Sequence, residues 1–517
     1  MQAFFCTTKA FLSLPLPSGM LLICLHRGLP ADIMTFMGRS RRKQGYGTRG
    51  PEKEYGRSRG RENSGAGTVI IIAAAVFLML AAAFLYLCND PVFDCLFRKK
   101  VPETSSSSVP EDLTAASSPE TEFSLKEVQS ITVTVPETES ETPSPPKYQE
   151  NENTKLIERF RDGSGTAERS DDVLGNAVTV TFAGDILFDD HYAVMASAIS
   201  RTKGDPTADV MFDEGILSIM RSSDIFMVNN EFPYSKGGQP LKDKKYTFRA
   251  DPKYASLLFD MGADIVALAN NHLYDHGEEA FLDTLSTLKN VTPGTKEEDA
   301  EPKTGIPYVG AGVNIDEASR PFYFTTGNIR IGFIAATQIE RMENPDTKGA
   351  TEASPGVFRC LNYKKLCEVI EDMRGECDFV IAYLHWGTES TQNVDHYQKE
   401  LALAVRNAGA DLIIGDHPHV LQGISVLDPL KEGGAGVPCI YSLGNFLFNS
   451  NAQDTCLVTA YIDPETAELL AFKFIPARQE GCRTFLLSGT EKERVLANMR
   501  SLSKTEIDEE GFVNIHK

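Results

Sequence analysis

A chain of 517 residues with a formal charge of −21 and an isoelectric point of about 5.0 exceeds one ordinary domain and can bury a large core. Its 72 acidic residues outnumber 51 basic ones, and no basic stripe with interleaved aromatics occurs, which excludes a non-specific nucleic-acid binder.

In chain order, the first 36 residues mix Phe, Leu, Cys and Pro with little charge. Pro15 and Pro17 interrupt the apolar run from Phe11 to Leu25 and no cleavage site follows it, so translation starting near Met34 or Met37 is one reading of this stretch. Arg39 to Arg61 is basic and Gly-rich, and residues 1–66 are expected to form a basic cytoplasmic segment. Thr68 to Leu87 is an unbroken apolar run with no polar face, so residues 67–88 are expected to cross a bilayer of roughly 30 Å hydrocarbon thickness. Basic residues crowd its N-terminal flank, and the positive-inside rule then leaves the N-terminus in the cytoplasm and places the bulk of the chain outside the cytoplasmic membrane. Residues 101–172 are rich in Ser, Thr, Pro and Glu and are expected to be a disordered tether, with Lys155 to Phe160 as a short helix inside it.

From residue 176 to 483 apolar strand-like runs alternate with amphipathic helical ones, such as Tyr254 to Met261, Gly277 to Leu288, Tyr363 to Met373 and Tyr397 to Ala408. The pattern predicts an α/β domain with a mixed or parallel sheet, followed by a C-terminal tail over 484–517. Leu457 to Phe474 is predicted as a hairpin turning at Asp463-Pro464-Glu465. Six cysteines lie in the domain; the absence of CxxC spacing argues against zinc–thiolate chemistry, and their even count allows disulfides.

Five predicted strands end in polar clusters. Val178 to Ala183 leads to Gly184-Asp185, Ile225 to Val228 to Asn229-Asn230-Glu231, and Ile265 to Ala269 to Asn270-Asn271-His272 with Asp275. Phe379 to Leu384 leads to His385-Trp386-Gly387, and Leu412 to Ile414 to Gly415-Asp416-His417-Pro418-His419. Open α/β sheets bind ligands just beyond the carboxyl ends of their strands, and Asp, Glu, Asn and His are hard oxygen and imidazole ligands that suit manganese, iron or zinc better than calcium. Each motif alone is as readily a turn or a cap. Four of the nine histidines at strand ends beside carboxylates and amides is the signal.

These motifs, with Tyr441-Ser442-Leu443-Gly444-Asn445-Phe446, resemble the CapA-type poly-gamma-glutamate capsule biosynthesis proteins over about Val178 to Phe474. The resemblance implies a metallophosphoesterase-like β-sandwich flanked by helices, of the calcineurin-like superfamily. It implies one or two divalent ions held by Asp185, Glu231, Asn271, His385, His417 and His419. His272 then contacts the substrate or protonates a leaving group, and Asp275 orients it. Leu187 stands where the family fold usually has the histidine of Asp-x-His, which removes one ligand and leaves Asp185, Glu231 and His419 against Glu231, Asn271, His385 and His417. Glu389-Ser390 departs from the usual Glu-Tyr. His191 and His276 remain candidates for supporting positions, and Trp386 and Tyr441 for core or pocket. The implied partners are capsule ligase and export subunits in the membrane, with a polyanionic polymer or a phosphoester as substrate. A stand-alone surface phosphoesterase and a non-catalytic polymer-binding scaffold are the alternatives.

Overall fold

The computed structural model describes residues 146–161, 173–294, 304–339 and 347–516. The expected cytoplasmic segment, the span 67–88 and most of the tether lie outside the described residues. Among those described, no helix is long and apolar enough to cross a membrane.

The strands in chain order are β1 (Thr154–Leu156), β2 (Val178–Ile186), β3 (Ile225–Asn230), β4 (Ile265–Ala267), β5 (Tyr308–Val309) and β6 (Ala311–Gly312). They continue as β7 (Phe322–Thr325), β8 (Arg330–Thr337), β9 (Gly356–Val357), β10 (Phe379–His385), β11 (Leu412–Asp416) and β12 (Leu421–Leu427). The last are β13 (Val437–Leu443), β14 (Asn445–Leu447), β15 (Gln453–Ile462), β16 (Leu469–Glu480) and β17 (Arg483–Leu486). The α-helices are α1 (Glu158–Arg161), α2 (Ala193–Thr202), α3 (Glu214–Ser222), α4 (Ser256–Met261) and α5 (Gly277–Asn290). After them come α6 (Ile315–Ala318), α7 (Lys364–Glu376), α8 (His396–Ala408) and α9 (Gly489–Leu502).

Two mixed sheets result. One runs β1-β7-β8-β10-β11-β13-β12, and the other β17-β16-β15-β2-β3-β4-β5 with β14 added beside β2. Their central strands pair in parallel, β2 with β3 and β3 with β4 in one sheet, β8 with β10 and β10 with β11 in the other. These strands are largely apolar up to their polar carboxyl ends because both faces are covered, and their two-residue period splits the side chains between two cores. Val180, Phe182 and Met227 of one sheet meet Phe333, Ile381 and Ile414 of the other in a shared inner core. On the far side of the second sheet, Phe226 and Val228 pack with Leu217 of α3, Leu258 of α4 and Phe281 of α5. On the far side of the first, Ile334 and Ala382 pack with Ile370 of α7 and Leu401 of α8. The α/β class and the helix-flanked two-sheet arrangement are therefore present. The predicted hairpin is β15–β16, with Asp463 Oδ1 accepting from the Glu465 and Thr466 amides at 2.8 Å.

The domain reaches further than its expected limits at both ends. Residues 154–156, expected in the tether and in a short helix, instead form β1, which pairs in parallel with β7, and only 158–161 are helical. Ile157 is buried in the inner core, so one apolar contact and a strand edge outweigh the polar local composition. The tail over 484–517 is also integral: β17 pairs with β16, and Val495, Leu496, Met499, Ile507, Val513 and Ile515 join the inner core. Gly423 of β12 lets α9 approach, since a Cβ there would sit 2.1 Å from the Leu502 carbonyl oxygen. The six cysteines of the domain are free thiols.

Candidate metal centre

Parallel pairing in both sheets aligns the carboxyl ends of β2, β3, β4, β10 and β11 on one pole, and the polar motifs meet there. Asp185 and Glu231 are fully buried, Asn271, His272, His385 and His417 nearly so. Gly184 permits the approach of β2 to the turn before β14, where a Cβ would lie 1.9 Å from the Gly444 carbonyl oxygen. Asn270 pins the next turn, donating to Asn229 Oδ1 and the Asn230 carbonyl while accepting from the His272 and Leu273 amides.

Two ligand groups share Glu231: Glu231, His385 and His417 form one, and Asp185, Glu231 and His419 the other, with the ligand atoms of each group within 4.8 Å of one another. In the first, His385 Nε2 lies 2.9 Å from Asn271 Oδ1, 3.1 Å from His417 Nδ1 and 3.5 Å from Glu231 Oε1. In the second, His419 Nδ1 lies 3.0 Å from Asp185 Oδ2 and 2.9 Å from Asn445 Oδ1, while Asn229 donates to Asp185 Oδ1 at 2.6 Å. Both oxygens of Glu231 are buried without a hydrogen-bond donor. His417 and His419 hold their places with φ of +95° and +59°, a region that costs non-glycine residues roughly 1–3 kcal/mol and clusters at functional sites.

The electrostatics of the pole are those of a site short of positive charge. Burial, with the charges of Asp185 and Asp416 added, holds the Glu231 carboxyl well above the usual carboxylate range. Asp416 is raised for the same reasons, burial first and then Asp185, although the Tyr383 hydroxyl donates to it at 2.8 Å. Burial works to raise Asp185 too, but its hydrogen bond to His419 and that ring's charge outweigh it and hold the carboxyl at about 2. Burial opposes charge on His419, and the same bond to Asp185 wins and raises it. Burial first, helped by the nearby His419, His272 and Lys244 and opposed by Asp185, drives His385 down to about 3 and so keeps it a neutral ligand. Three buried acidic side chains, the orphaned Glu231 among them, and the neutral His385 ring fit one or two divalent cations.

Beside this centre His272 Nδ1 meets Asp275 Oδ2 at 2.8 Å, and its ring packs on Phe248 with centroids 4.3 Å apart. Burial lowers the His272 pKa against the pull of Asp275. Leu187, where the first motif departs, is buried in the outer core and offers no ligand atom. His191 is exposed and sits with Asp189 and Asp190 in a separate group, and His276 precedes α5 without joining either cluster. Trp386 and Tyr441 are core residues, stacked on each other, with the indole donating to the Tyr441 carbonyl. Sequence reasoning missed Asp416 and Lys244. Asp416 stood in the same strand-end motif as His417, whereas Lys244 lies in a loop with no signal of its own.

The architecture and site define a two-sheet α/β protein with a candidate divalent-metal centre at the carboxyl pole of its strands. The chain belongs to the family described as bacterial capsule synthesis protein PGA_cap, whose model matches residues 179–450. It is similar to the capsule biosynthesis protein CapA of Bacillus anthracis, 27% identical over 62% of this chain and 72% of that one. It is likewise similar to the PGA biosynthesis protein CapA of Bacillus subtilis, 28% identical over 57% and 69%. A probable polyglutamine synthesis accessory protein of Mycobacterium tuberculosis is 23% identical over 55% and 73%. Among solved structures, a phosphatase from Mycoplasma pneumoniae matches 59% of this chain and 95% of its own at 14% identity and a TM-score of 0.34.

Proposed function

We propose that the protein is a membrane-anchored component of poly-gamma-glutamate or similar capsule-polymer synthesis or export, acting outside the cytoplasmic membrane through a metal-dependent phosphoester site of the metallophosphoesterase type. Family membership and the names of the relatives support the polymer, and the apolar span 67–88 with its basic flank supports the anchor. The observation that carries the site is Glu231, whose two buried oxygens have no hydrogen-bond donor and stand between two ligand groups.

Asp185, Glu231 and His419 would hold one ion, and Glu231, Asn271, His385 and His417 another, of manganese, iron or zinc. When bound, such ions supply Lewis-acid polarisation of a phosphoryl group and activate water as a nucleophile. The protein's own residues do the rest. Asp275 occupies Nδ1 of His272, which leaves Nε2 to meet a substrate oxygen. Buried and neutral, His272 is a proton acceptor there; to protonate a leaving group it must first be charged, a state that the Asp275 carboxylate favours and burial opposes. The −21 charge of the chain means that a polyanion approaches this pole only with cations present.

The test is metal content and bis-p-nitrophenyl phosphate hydrolysis by the full-length chain beside His272→Ala and His417→Ala, with capsule polymer measured in cells carrying each. The proposal expects one or two transition ions per chain, loss of hydrolysis with metal retained in His272→Ala, and loss of metal in His417→Ala. Hydrolysis lost in His272→Ala with polymer unaffected favours a stand-alone phosphoesterase, and metal bound with no ester cleaved favours a scaffold. No metal in the wild type and no change in His417→Ala would sink the reading.

A further inference from the structure

The side chain of Lys244 is only 7% exposed, although its loop, from Lys236 to Arg249, lies outside any helix or strand. A tight turn delivers it inward: Asp243 takes φ +66°, a conformation that Asp tolerates, and the Lys244 amide donates to the Leu241 carbonyl. The ammonium lies 2.6 Å from Asp275 Oδ1 and donates to the backbone carbonyl of Asn271. Asp275 is held at further points as well. Its other carboxylate oxygen accepts from the Phe248 amide at 2.7 Å and meets His272 at 2.8 Å, and its own carbonyl accepts from the Leu241 amide at 2.8 Å. Loop and turn are thus joined by Lys244, and the turn carries both Asn271, aimed at His385, and His272.

We propose that Lys244 is a positioning residue of this centre: by clamping the Asn271 carbonyl and the Asp275 carboxylate it fixes the Asn271 amide toward the ion held with His385 and His417, and fixes the ring of His272. The inference rests on the metal-centre reading above. It makes a prediction of sign that separates it from two simpler roles. Removing a positive charge near Glu231 would, by field alone, strengthen cation binding at both positions. Loss of a merely stabilising contact would weaken both in step with the melting temperature. Loss of positioning weakens only the group that contains Asn271, because among the described residues Asp185 and His419 make no direct hydrogen bond to the turn, Asp185 being linked to it through Asn229 and Asn270.

Mn2+ titration of the full-length chain, as wild type, Lys244→Met and Lys244→Arg, reads this directly, with amide exchange followed in metal-free protein. In Lys244→Met the class of Mn2+ that His385→Ala removes is expected to lose about tenfold in affinity, while the class removed by His419→Ala is unchanged. The Phe248 and Asp275 amides are expected to exchange at least tenfold faster, and Lys244→Arg to restore both readouts in part. Tighter Mn2+ binding at both positions, an equal loss at both, or unchanged exchange at Phe248 and Asp275 overturns the proposal. If the wild type binds no Mn2+, the metal reading fails and the exchange data alone decide for or against the clamp. If metal binds but no ester is cleaved, only the phosphoesterase reading falls.

Discussion

Glu231 sets the chemistry at the scale of single residues because it is the one carboxylate common to both ligand groups. In metal-free protein it is a liability: it shares a buried pole with Asp185 and Asp416, and burial raises its pKa above the ordinary value near 4.5. The sign of the linkage follows. A carboxyl with a raised folded-state pKa binds its proton more tightly in the folded than in the unfolded chain, so folded stability falls as pH climbs from the unfolded value toward the folded one. Glu231→Gln keeps the shape and removes that titration. With a chelator present, the variant is expected to match the wild type near pH 4.5 and to become progressively the more stable as pH rises, by about 1–3 kcal/mol, the range for relieving a buried unsatisfied group. With Mn2+ added the order reverses, since neither position keeps its shared ligand. Chemical denaturation across pH, with and without metal, checks both halves; a variant less stable than wild type in chelator would show that Glu231 has a partner in the metal-free fold.

Elements explain why so much of the site was legible. Strands buried on both faces are continuous apolar runs, so the change from apolar to polar marks where β2, β3, β4, β10 and β11 stop, and parallel pairing then brings those ends together. That logic picked out Asp185, Glu231, Asn271, His272, His385, His417 and His419 as candidates that the structure brings to one pole. It had no hold on Lys244, which reaches the centre from a loop, or on the choice of Asp416, which shared a motif with better-known ligand types. It misjudged β1 because three residues of Thr, Lys and Leu carry no periodicity, and their strand exists only through the edge of β7. Packing between elements is equally invisible in sequence. Gly184 reads as half of a Gly-Asp turn, yet its backbone abuts the Gly444 carbonyl, where no flexible side chain can yield. Gly184→Ala is therefore expected to cost about 1–3 kcal/mol, as overpacking against rigid neighbours does, and to displace Asp185 enough to weaken Mn2+ at the His419 position more than at the His385 position. Gly277→Ala is a poor control because of its positive φ; Gly375→Ala, in α7 with open space around the new methyl, should be neutral or slightly stabilising. Equal melting temperatures for Gly184→Ala and Gly375→Ala would contradict the close approach.

For the whole molecule, the ends of the described chain matter as much as its centre. The first described residues of the domain lie at the pole where the parallel strands begin: Lys147 pairs with Asp378 at 2.7 Å just ahead of β10, and Arg159 with Asp224 at 3.4 Å just ahead of β3. The candidate metal centre occupies the pole where those strands end, so the chain enters the domain on the side away from its chemistry. The C-terminal residues play a different part. Val495, Leu496, Met499, Ile507, Val513 and Ile515 fill the inner core between the sheets, and burying each such side chain contributes roughly 1.5–3 kcal/mol. Together they amount to about the whole net stability of an ordinary domain, roughly 5–15 kcal/mol. A fragment ending at residue 483, the limit suggested by composition, is therefore expected to show no cooperative unfolding transition and to aggregate through the uncovered faces of β12 and β16, whereas one spanning 146–516 melts as a single unit. The centre would be lost with the core although every ligand residue is still present, because α9 packs on β12, which follows His419, and on β16, and its apolar side chains share the inner core with β2, which carries Asp185. Calorimetry and Mn2+ binding on the two fragments test this together; a cooperative, metal-binding 146–483 fragment would show that the C-terminal helix is an appendage.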